Sequence, residues 1–150
     1  MLPTFTPLKA GDVDRAVAMM AKLYVDGGDS FNAVRAREST ERLLGEPEFG
    51  GVWMIEMNGA TAGYLVFVMG YSLEFGGRFG LLDELYLEEE WRGKGIGKQA
   101  IEFAAGQCRQ RGWRALRLEV GHSNERAKAL YAGCGFDLHD RHLMTKWISC

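Results

Sequence analysis

The sequence predicts an α/β fold: a mixed, mostly antiparallel sheet with a parallel strand pair at its centre, flanked by about four helices. Asn58-Gly59 lies between two apolar runs, which is typical of a β-hairpin because this dipeptide suits a turn with positive φ. Apolar residues recur with helical spacing in several separate segments. A strand–helix–strand pattern from Phe79 to Val120 predicts a right-handed crossover between two parallel strands.

The first half of the chain is predicted to supply two helices and most of the sheet. A short strand is expected at residues 4–9, after which Asp12 caps the first helix. The second helix is expected over residues 35–44, and Pro47 prevents its continuation. Three strands then form a meander at residues 51–57, 60–70 and 79–87. The apolar stripe of the first helix consists of Val13, Ala16, Val17, Met20 and Tyr24.

The second half is predicted to add two helices and three strands. A helix over residues 96–111 ends at Gly112, and a strand follows at residues 114–120. Ser123 or Asn124 caps the last helix. Two closing strands are expected at residues 136–140 and 143–149. The apolar stripes of the two helices are Ile96, Ala100, Phe103, Ala104 and Cys108 in the earlier one and Ala127, Leu130, Tyr131 and Cys134 in the later one.

The composition is that of an ordinary soluble protein, and 150 residues suit a single domain over residues 1–150. The net charge of −2 argues against a general nucleic-acid binder, and no apolar run is long enough to cross a membrane. The N-terminus does not resemble a signal peptide. Cys108, Cys134 and Cys150 are odd in number and widely spaced, so we expect no zinc site or other metal site, and we interpret the first two as buried thiols. A cytoplasmic location fits this pattern best.

The segment from Arg92 to Gly97, "RGKGIG", places three glycines and two cations where a helix begins. A helix N-terminus exposes unpaired N–H groups and attracts anions, and glycines let the backbone approach such an anion closely. Lys98 adds a further positive charge. The segment therefore predicts a cradle for phosphate or pyrophosphate. Its spacing fits neither a Walker loop nor a dinucleotide fingerprint, and a glycine-rich turn with solvated cations is the structural alternative.

Two segments together resemble the GNAT superfamily of acyl-CoA-dependent N-acyltransferases. "WRGKGIG" is similar to its pyrophosphate-binding motif, written Arg/Gln-x-x-Gly-x-Gly/Ala, with Arg92, Gly95 and Gly97 at the fixed positions. "LEVGHSNERAKALYAGCGF" is similar to a later motif made of a strand, an Asn, a helix with Leu-Tyr, and Gly-Phe. The resemblance covers about Phe79 to Phe136. It implies the GNAT fold, in which the central parallel strands splay apart, and it implies acyl transfer, usually acetyl, from coenzyme A to an amine.

The resemblance also implies how acetyl-CoA is held, with coenzyme A as the product. The pyrophosphate lies on the backbone of the glycine-rich segment, the pantetheine arm runs along the end of the central strand, and Asn124 hydrogen-bonds that arm or simply caps its helix. The cofactor-binding residues implied in this way are Leu85, Tyr86, Leu87, Arg92, Gly93, Lys94, Gly95, Ile96, Gly97, Lys98, Asn124, Ala127 and Tyr131.

Three residues are candidates for the chemistry. Tyr131 matches the family's general acid, because a phenol holds its proton at neutral pH, although its place on an apolar stripe also suits a core residue. The amine must lose a proton, and either Glu84 or Glu119 resembles a carboxylate that relatives use as the base. Asp83 should point to the opposite sheet face from Glu84 if the strand is regular, so that one of the two reaches the acceptor.

The acceptor is expected to contact the segments after the first helix and before the central strand. Candidate contacts there and on the central strand are Asp26, Phe31, Tyr71 and Asp83. Acidic and aromatic side chains favour a cationic amine through charge pairing and cation–π contact. We therefore favour a small cationic primary amine and place a peptide or protein amine second.

Two other classes of function stay open at this level. One is a non-catalytic member that binds acyl-CoA as a sensor or scaffold, and the other is an unrelated nucleotide-binding module. No nucleic-acid or membrane partner is expected, and a homodimer is left open. The sequence does not distinguish acetyl from other acyl groups.

Overall fold

A computed structural model describes residues 2–148, and the chain forms two compact units. The first unit ends at Glu119 and the second begins at Val120. The strands of the first unit are β1 (Thr4–Pro7), β2 (Gly50–Met57), β3 (Ala60–Ser72), β4 (Gly77–Leu87) and β5 (Leu116–Arg117). Its helices are α1 (Val13–Asp26), α2 (Ala33–Leu44) and α3 (Ile96–Gln110). The second unit contains α4 (Glu125–Gly133).

The five strands form one sheet in the order β1-β2-β3-β4-β5. All neighbouring pairs are antiparallel except β4 and β5, which are parallel because α3 carries the chain between them. The predicted fold class, a mixed and mostly antiparallel sheet with a parallel pair and four helices, is confirmed. The parallel pair lies at one edge of the described five-stranded sheet and not at its centre, because no strand forms beyond β5 in residues 118–148.

The predicted hairpin joins β2 to β3. Asn58 and Gly59 both have positive φ, 53° and 81°, as a tight two-residue hairpin turn requires. Asn58 is the only residue other than glycine with positive φ among residues 2–148. The dipeptide thus fixes the register of the longest strand in the sheet, β3, which carries the residues opposite the candidate site on β4.

Both faces of the sheet are covered by apolar side chains. On one face, the buried stripe of α1 packs against residues of β2, β3 and β4; the shared cluster includes Val13, Ala16, Val17, Met20, Met54, Tyr64, Val66 and Tyr86. On the other face, aromatic rings form a continuous layer in which Trp53 stacks on Phe67 at 4.7 Å and meets Phe103 of α3 at 5.6 Å. Asp12 precedes α1 as expected, but its carboxylate does not cap the helix and instead accepts a hydrogen bond from Arg15.

A β-bulge interrupts β4 next to the candidate base. Val66 of β3 pairs with Glu84, but the next residue, Phe67, pairs with Leu82, so Asp83 has no partner on β3. The strand is therefore not regular here, and the condition under which Asp83 and Glu84 must point to opposite faces is not met. In a regular strand Glu84 would share a face with Leu82, whereas the extra residue turns it toward the face covered by α1.

The parallel pair is short. Only Gly80 and Leu81 of β4 pair with Leu116 and Arg117 of β5, so β5 covers two residues where the sequence predicts residues 114–120. Beyond Leu81, β4 runs for six more residues with β3 as its partner on one side. The strands have thus separated at the level of Glu84 to Leu87, which is the splay that the GNAT resemblance implies.

The two closing strands that the sequence predicts are not formed. Residues 137–148 contain no strand, and Ser149, the last residue of the prediction, lies outside the described residues. The apolar side chains of this stretch are not buried by any sheet face: Leu138, Leu143, Met144, Trp147 and Ile148 are 73–89 % exposed. Without such burial the apolar residues of the two segments have nothing to hold them in a sheet.

Candidate active site

The glycine-rich segment forms the N-terminus of α3. A short 3₁₀ turn at Glu89–Trp91 ends β4, and Gly93 and Gly95 then adopt positive φ, 73° and 81°. Gly95 is the residue before the first helical turn, and no side chain caps that end of α3. A Cβ placed on Gly95 would meet nothing within 4 Å. A side chain at Gly95 would therefore extend into open space beside the start of α3, where the first-turn N–H groups have no side-chain cap, and its left-handed φ favours glycine.

The three cations of this segment have different surroundings. Arg92 is tied down: its guanidinium donates to the backbone oxygen of Leu87 at 2.8 Å and to the carboxylate of Asp26 at 3.1 Å. Lys94 lies over the ring of Trp91, with Nζ 5.0 Å from the ring centroid. Lys98 is exposed on the first turn of α3. Arg92 thus holds the loop against α1, while the two lysines supply the free positive charge.

These features fit the pyrophosphate and pantetheine of coenzyme A. The helix start offers N–H donors, two left-handed glycines and two lysines to an anion. The splayed end of β4, Leu85 to Leu87, offers backbone groups on the side that faces away from β3. An extended amide-containing chain can hydrogen-bond to such a strand edge.

A half-buried carboxylate lies at the level of the bulge. Glu84 accepts two hydrogen bonds, one from the hydroxyl of Tyr64 at 2.8 Å and one from the hydroxyl of Tyr24 at 3.0 Å. Tyr24 lies on α1 and Tyr64 on β3, so three elements meet at this carboxylate. Burial raises the pKa of Glu84 above its ordinary value of 4.5, Asp83 raises it further, and the two tyrosine hydrogen bonds lower it.

Two more acidic side chains belong to the same region. Asp83 is exposed overall, but the protein around its carboxyl raises the pKa of Asp83, and Glu119 nearby raises it further. Glu119 is exposed and follows β5. The structure thus brings Asp83, Glu84 and Glu119 to one region of the first unit, where negative charge would attract a cation.

The remaining candidate acceptor residues do not all lie near Glu84. Phe31 does, since its ring meets the edge of Tyr24 with centroids 5.1 Å apart. Asp26 is engaged by Arg92 at the glycine-rich segment. Tyr71 is 70 % exposed and pairs with Arg78, six residues before Glu84 on β4, which is roughly 20 Å along a strand. Tyr71 therefore does not join the Glu84 group.

The second unit carries the other candidates. The side chain of Asn124 accepts a hydrogen bond from the backbone N–H of Ala127 at 3.1 Å and so caps α4. Tyr131 is half-buried on α4 and its ring meets Phe136 edge-on, 5.9 Å between centroids. Burial raises the pKa of Tyr131, and Cys134 adds to the increase. Cys134 is half-buried rather than buried, whereas Cys108 is buried as expected; Cys150 lies outside the described residues.

A cavity of about 490 Å³ lies beside the glycine-rich segment. Its lining comes from α1, from Tyr86 of β4 and from the segment that follows β4, and Glu84 is not among the lining residues. Two ion pairs belong to it, Lys22 with Glu88 at 3.0 Å and Arg92 with Asp26 at 3.1 Å. After these pairs, Glu89 and Glu90 leave the lining with a net negative charge.

Two functional candidates escape the sequence analysis, namely the hydroxyls of Tyr24 and Tyr64. Tyr64 belongs to the buried core cluster and Tyr24 lies half-buried on the apolar stripe of α1, so the sequence indicates packing roles for both rings. No local signal indicates that the two hydroxyls meet on one carboxylate, because Tyr64 and Tyr24 are 20 and 60 positions away from Glu84 in the sequence.

Among residues 2–148, no cluster of acidic, histidine and cysteine side chains could hold a metal ion, and no helix has the length and apolarity to cross a membrane.

The chain belongs to the Acetyltransferase (GNAT) family, whose sequence profile matches residues 18–136. A curated relative, a thialysine N-epsilon-acetyltransferase of Bos taurus, is 37 % identical over 75 residues, which is 50 % of this chain and 44 % of that protein. The chain covers between 44 % and 65 % of the length of the three curated relatives it matches.

Solved structures show the same fold over nearly the whole chain. An integron cassette protein from the mobile metagenome of Cole Harbour Salt Marsh is 29 % identical with a TM-score of 0.84, covering 97 % of this chain and 91 % of its own. A predicted acetyltransferase of Clostridium acetobutylicum, solved with acetyl-CoA, has a TM-score of 0.82 at 16 % identity, and the match covers 97 % of this chain and 96 % of that one. The fold and the family are thereby established, and both agree with the resemblance found in the sequence.

Proposed function

We propose that this chain transfers an acetyl group from acetyl-CoA to the primary amine of a small cationic acceptor. The observation that carries the proposal is Glu84, a half-buried carboxylate fixed by two tyrosine hydroxyls beside two further acidic side chains. A carboxylate with a raised pKa is suited to remove a proton near neutral pH. A peptide or protein amine is the second choice of acceptor.

The acidic and aromatic surroundings support a cationic acceptor. Asp83, Glu84 and Glu119 would attract an ammonium group, and Phe31 and Tyr24 offer aromatic faces nearby. The thialysine named for the bovine relative is likewise a small amine, which favours this class over a protein substrate. Residues 1–150 are proposed as one catalytic domain, since the family match at 18–136 runs through both units.

The proposed roles follow the chemistry of each side chain. Acetyl-CoA, when bound, supplies an acetyl group activated as a thioester. The amides at the start of α3 with Lys94 and Lys98 would hold its pyrophosphate, and Leu85, Tyr86 and Leu87 would hold its arm. The family resemblance adds Asn124 and Ala127 of the second unit as residues that would bind the cofactor. Glu84, or Glu119, takes a proton from the amine, and the Tyr131 hydroxyl holds the proton that the leaving sulfur requires.

The first test is a screen of primary amines with acetyl-CoA, following free thiol, together with calorimetry of acetyl-CoA binding. We expect binding in the micromolar range, because a helix start and two lysines meet a multiply charged ligand. Polyamines and lysine analogues should release thiol fastest. No binding at millimolar acetyl-CoA would contradict the proposal, while binding without thiol release from any amine would indicate the sensor or scaffold instead. Competition of ATP and NAD against acetyl-CoA tests the third class of function: an unrelated nucleotide-binding module would bind ATP or NAD in preference to acetyl-CoA.

Replacing Gly95 by leucine is expected to raise the KM for acetyl-CoA at least about tenfold, because the side chain fills the open space before α3. Gly112 is the matched control: it also has positive φ, 73°, also faces open space, and lies at the opposite end of the same helix. Both substitutions carry the same left-handed strain of about 1–2 kcal/mol. Steady-state kinetics should show a raised KM for Gly95→Leu alone, and equal KM values would place the pyrophosphate elsewhere.

A further inference from the structure

The Glu84 carboxylate is held from two sides that differ in rigidity. Tyr64 donates to one oxygen, and its side chain is fully buried in the centre of the sheet. Tyr24 donates to the other oxygen from the last two turns of α1, and it is only half-buried. The hydrogen bond from Tyr64 thus comes from the buried core, and the one from Tyr24 comes from a partly exposed side chain.

Tyr24 is in turn connected to the segment that follows α1. The ring of Phe31 contacts its edge at 5.1 Å, and the backbone N–H of Asp29 donates to the carbonyl of Tyr24 at 2.9 Å. The residues after α1 therefore set where the Tyr24 hydroxyl lies. Any shift of this segment would alter the hydrogen bond to Glu84.

We propose that Tyr24 is a positioning residue: its hydroxyl fixes the Glu84 carboxylate in its ionised form, with the remaining lone pairs directed to the acceptor amine. The proposal rests on the proposed function, in which Glu84 is the base. Each carboxylate oxygen has two lone pairs, so one phenol on each oxygen leaves room for an N–H donor. A carboxylate whose rotamer is already fixed also loses no further conformational freedom when the amine binds.

The charged and titratable groups around Glu84 determine whether loss of the Tyr24 hydroxyl raises or lowers the pKa of Glu84. Burial and Asp83, its neighbour on β4, raise the pKa of Glu84, while Tyr64 from β3 and Tyr24 from α1 lower it. Glu119, after β5, acts on the neighbouring Asp83. Burial and Glu84 raise the pKa of Tyr24 to about 12, with Asp83 and Asp29 adding to the increase, so Tyr24 stays a donor across the working pH range.

Tyr24→Phe tests the proposal because it removes the hydroxyl and keeps the ring on Phe31. Without this donor the ionised form of Glu84 is less stable, so its pKa rises. We expect the acidic limb of kcat/KM to move up by about one pH unit, the size that one hydrogen bond to a charged group gives. At neutral pH, kcat should fall about tenfold while the acceptor KM changes about twofold or less, since the loss acts on proton transfer.

Lys22→Met is the matched control, since Lys22 also lies on α1 and also donates to a glutamate, Glu88, which follows β4 and lies outside the Glu84 group. The acidic limb of the kcat/KM profile of Lys22→Met should lie at the same pH as in the wild type. In a Glu84→Gln background, Tyr24→Phe should have no further effect on kcat. Thermal unfolding of Tyr24→Phe checks that the fold is kept. An unmoved limb in Tyr24→Phe, or an equal further loss in the Glu84→Gln background, would overturn the proposal.

A measurement without turnover separates this proposal from the proposed function. Titration of the Glu84 carboxyl carbon by NMR, assigned with Glu84→Gln, should show a higher pKa in Tyr24→Phe than in the wild type. If the wild type acetylates no amine, the proposed function fails, and this titration still decides whether Tyr24 controls Glu84. An unchanged Glu84 titration overturns the role of Tyr24 even in an active enzyme.

Discussion

Tyr131→Phe is expected to lower kcat about 100-fold while acetyl-CoA binding stays nearly normal. Only the proton donor is lost, and general acid catalysis typically contributes a factor of this order, equivalent to about 2.7 kcal/mol. Burial raises the pKa of Tyr131 above its ordinary value of 10.0, so the phenol keeps its proton throughout the neutral range. Its hydroxyl can then donate to the departing sulfur as negative charge develops there in the transition state.

Kinetics and calorimetry on the same preparation check this expectation. The ring of Phe keeps the edge contact with Phe136, so the melting temperature should change little. Phe136→Leu is the matched control, because it alters the packing around the ring and leaves the hydroxyl in place; its kcat should stay within about threefold of the wild type. Unchanged turnover in Tyr131→Phe would make Tyr131 a core residue and leave protonation to the solvent.

Much of the fold follows from local sequence signals. The Asn58-Gly59 turn, the stripe of α1 and the start of α3 at Ile96 each depend on residues close together in the chain, and the structure places all three as expected. The extent of β5 depends instead on where β4 and β5 separate. That separation is a tertiary property, and the apolar pattern of residues 114–120 does not encode it.

The chemistry of the site is harder to read from the sequence. The segment LLDELYL shows no extra residue, yet a bulge at Asp83 decides which face Glu84 occupies. In the sequence, Tyr24 is one more position on the apolar stripe of α1. Its hydroxyl has a partner only because the sheet places Glu84 within hydrogen-bond distance of it. The glycine-rich segment was readable because helix start, glycines and cations are neighbours in sequence.

The base can be identified by the pH dependence of two isosteric variants. Glu84→Gln and Glu119→Gln keep the size of each side chain but cannot take a proton from the amine. We expect Glu84→Gln to lose most activity near neutral pH, by a factor of about 100 to 10,000, and to recover part of it at alkaline pH. The recovery arises because a growing fraction of the amine is deprotonated by bulk water, which bypasses the missing step.

Glu119→Gln provides the comparison within the same acidic group. Glu119 is exposed and contributes charge, so its loss should raise the acceptor KM and leave the maximal rate largely intact. In the wild type, the acidic limb of kcat/KM should lie above pH 4.5, because burial raises the pKa of Glu84 and the base must be ionised to act. The opposite assignment, with alkaline rescue in Glu119→Gln, would be expected for a peptide α-amine acceptor and would shift the proposed substrate class. If both variants keep the wild-type pH–rate profile, neither carboxylate is the base, and the reaction depends on ordered water or on the small neutral fraction of the acceptor.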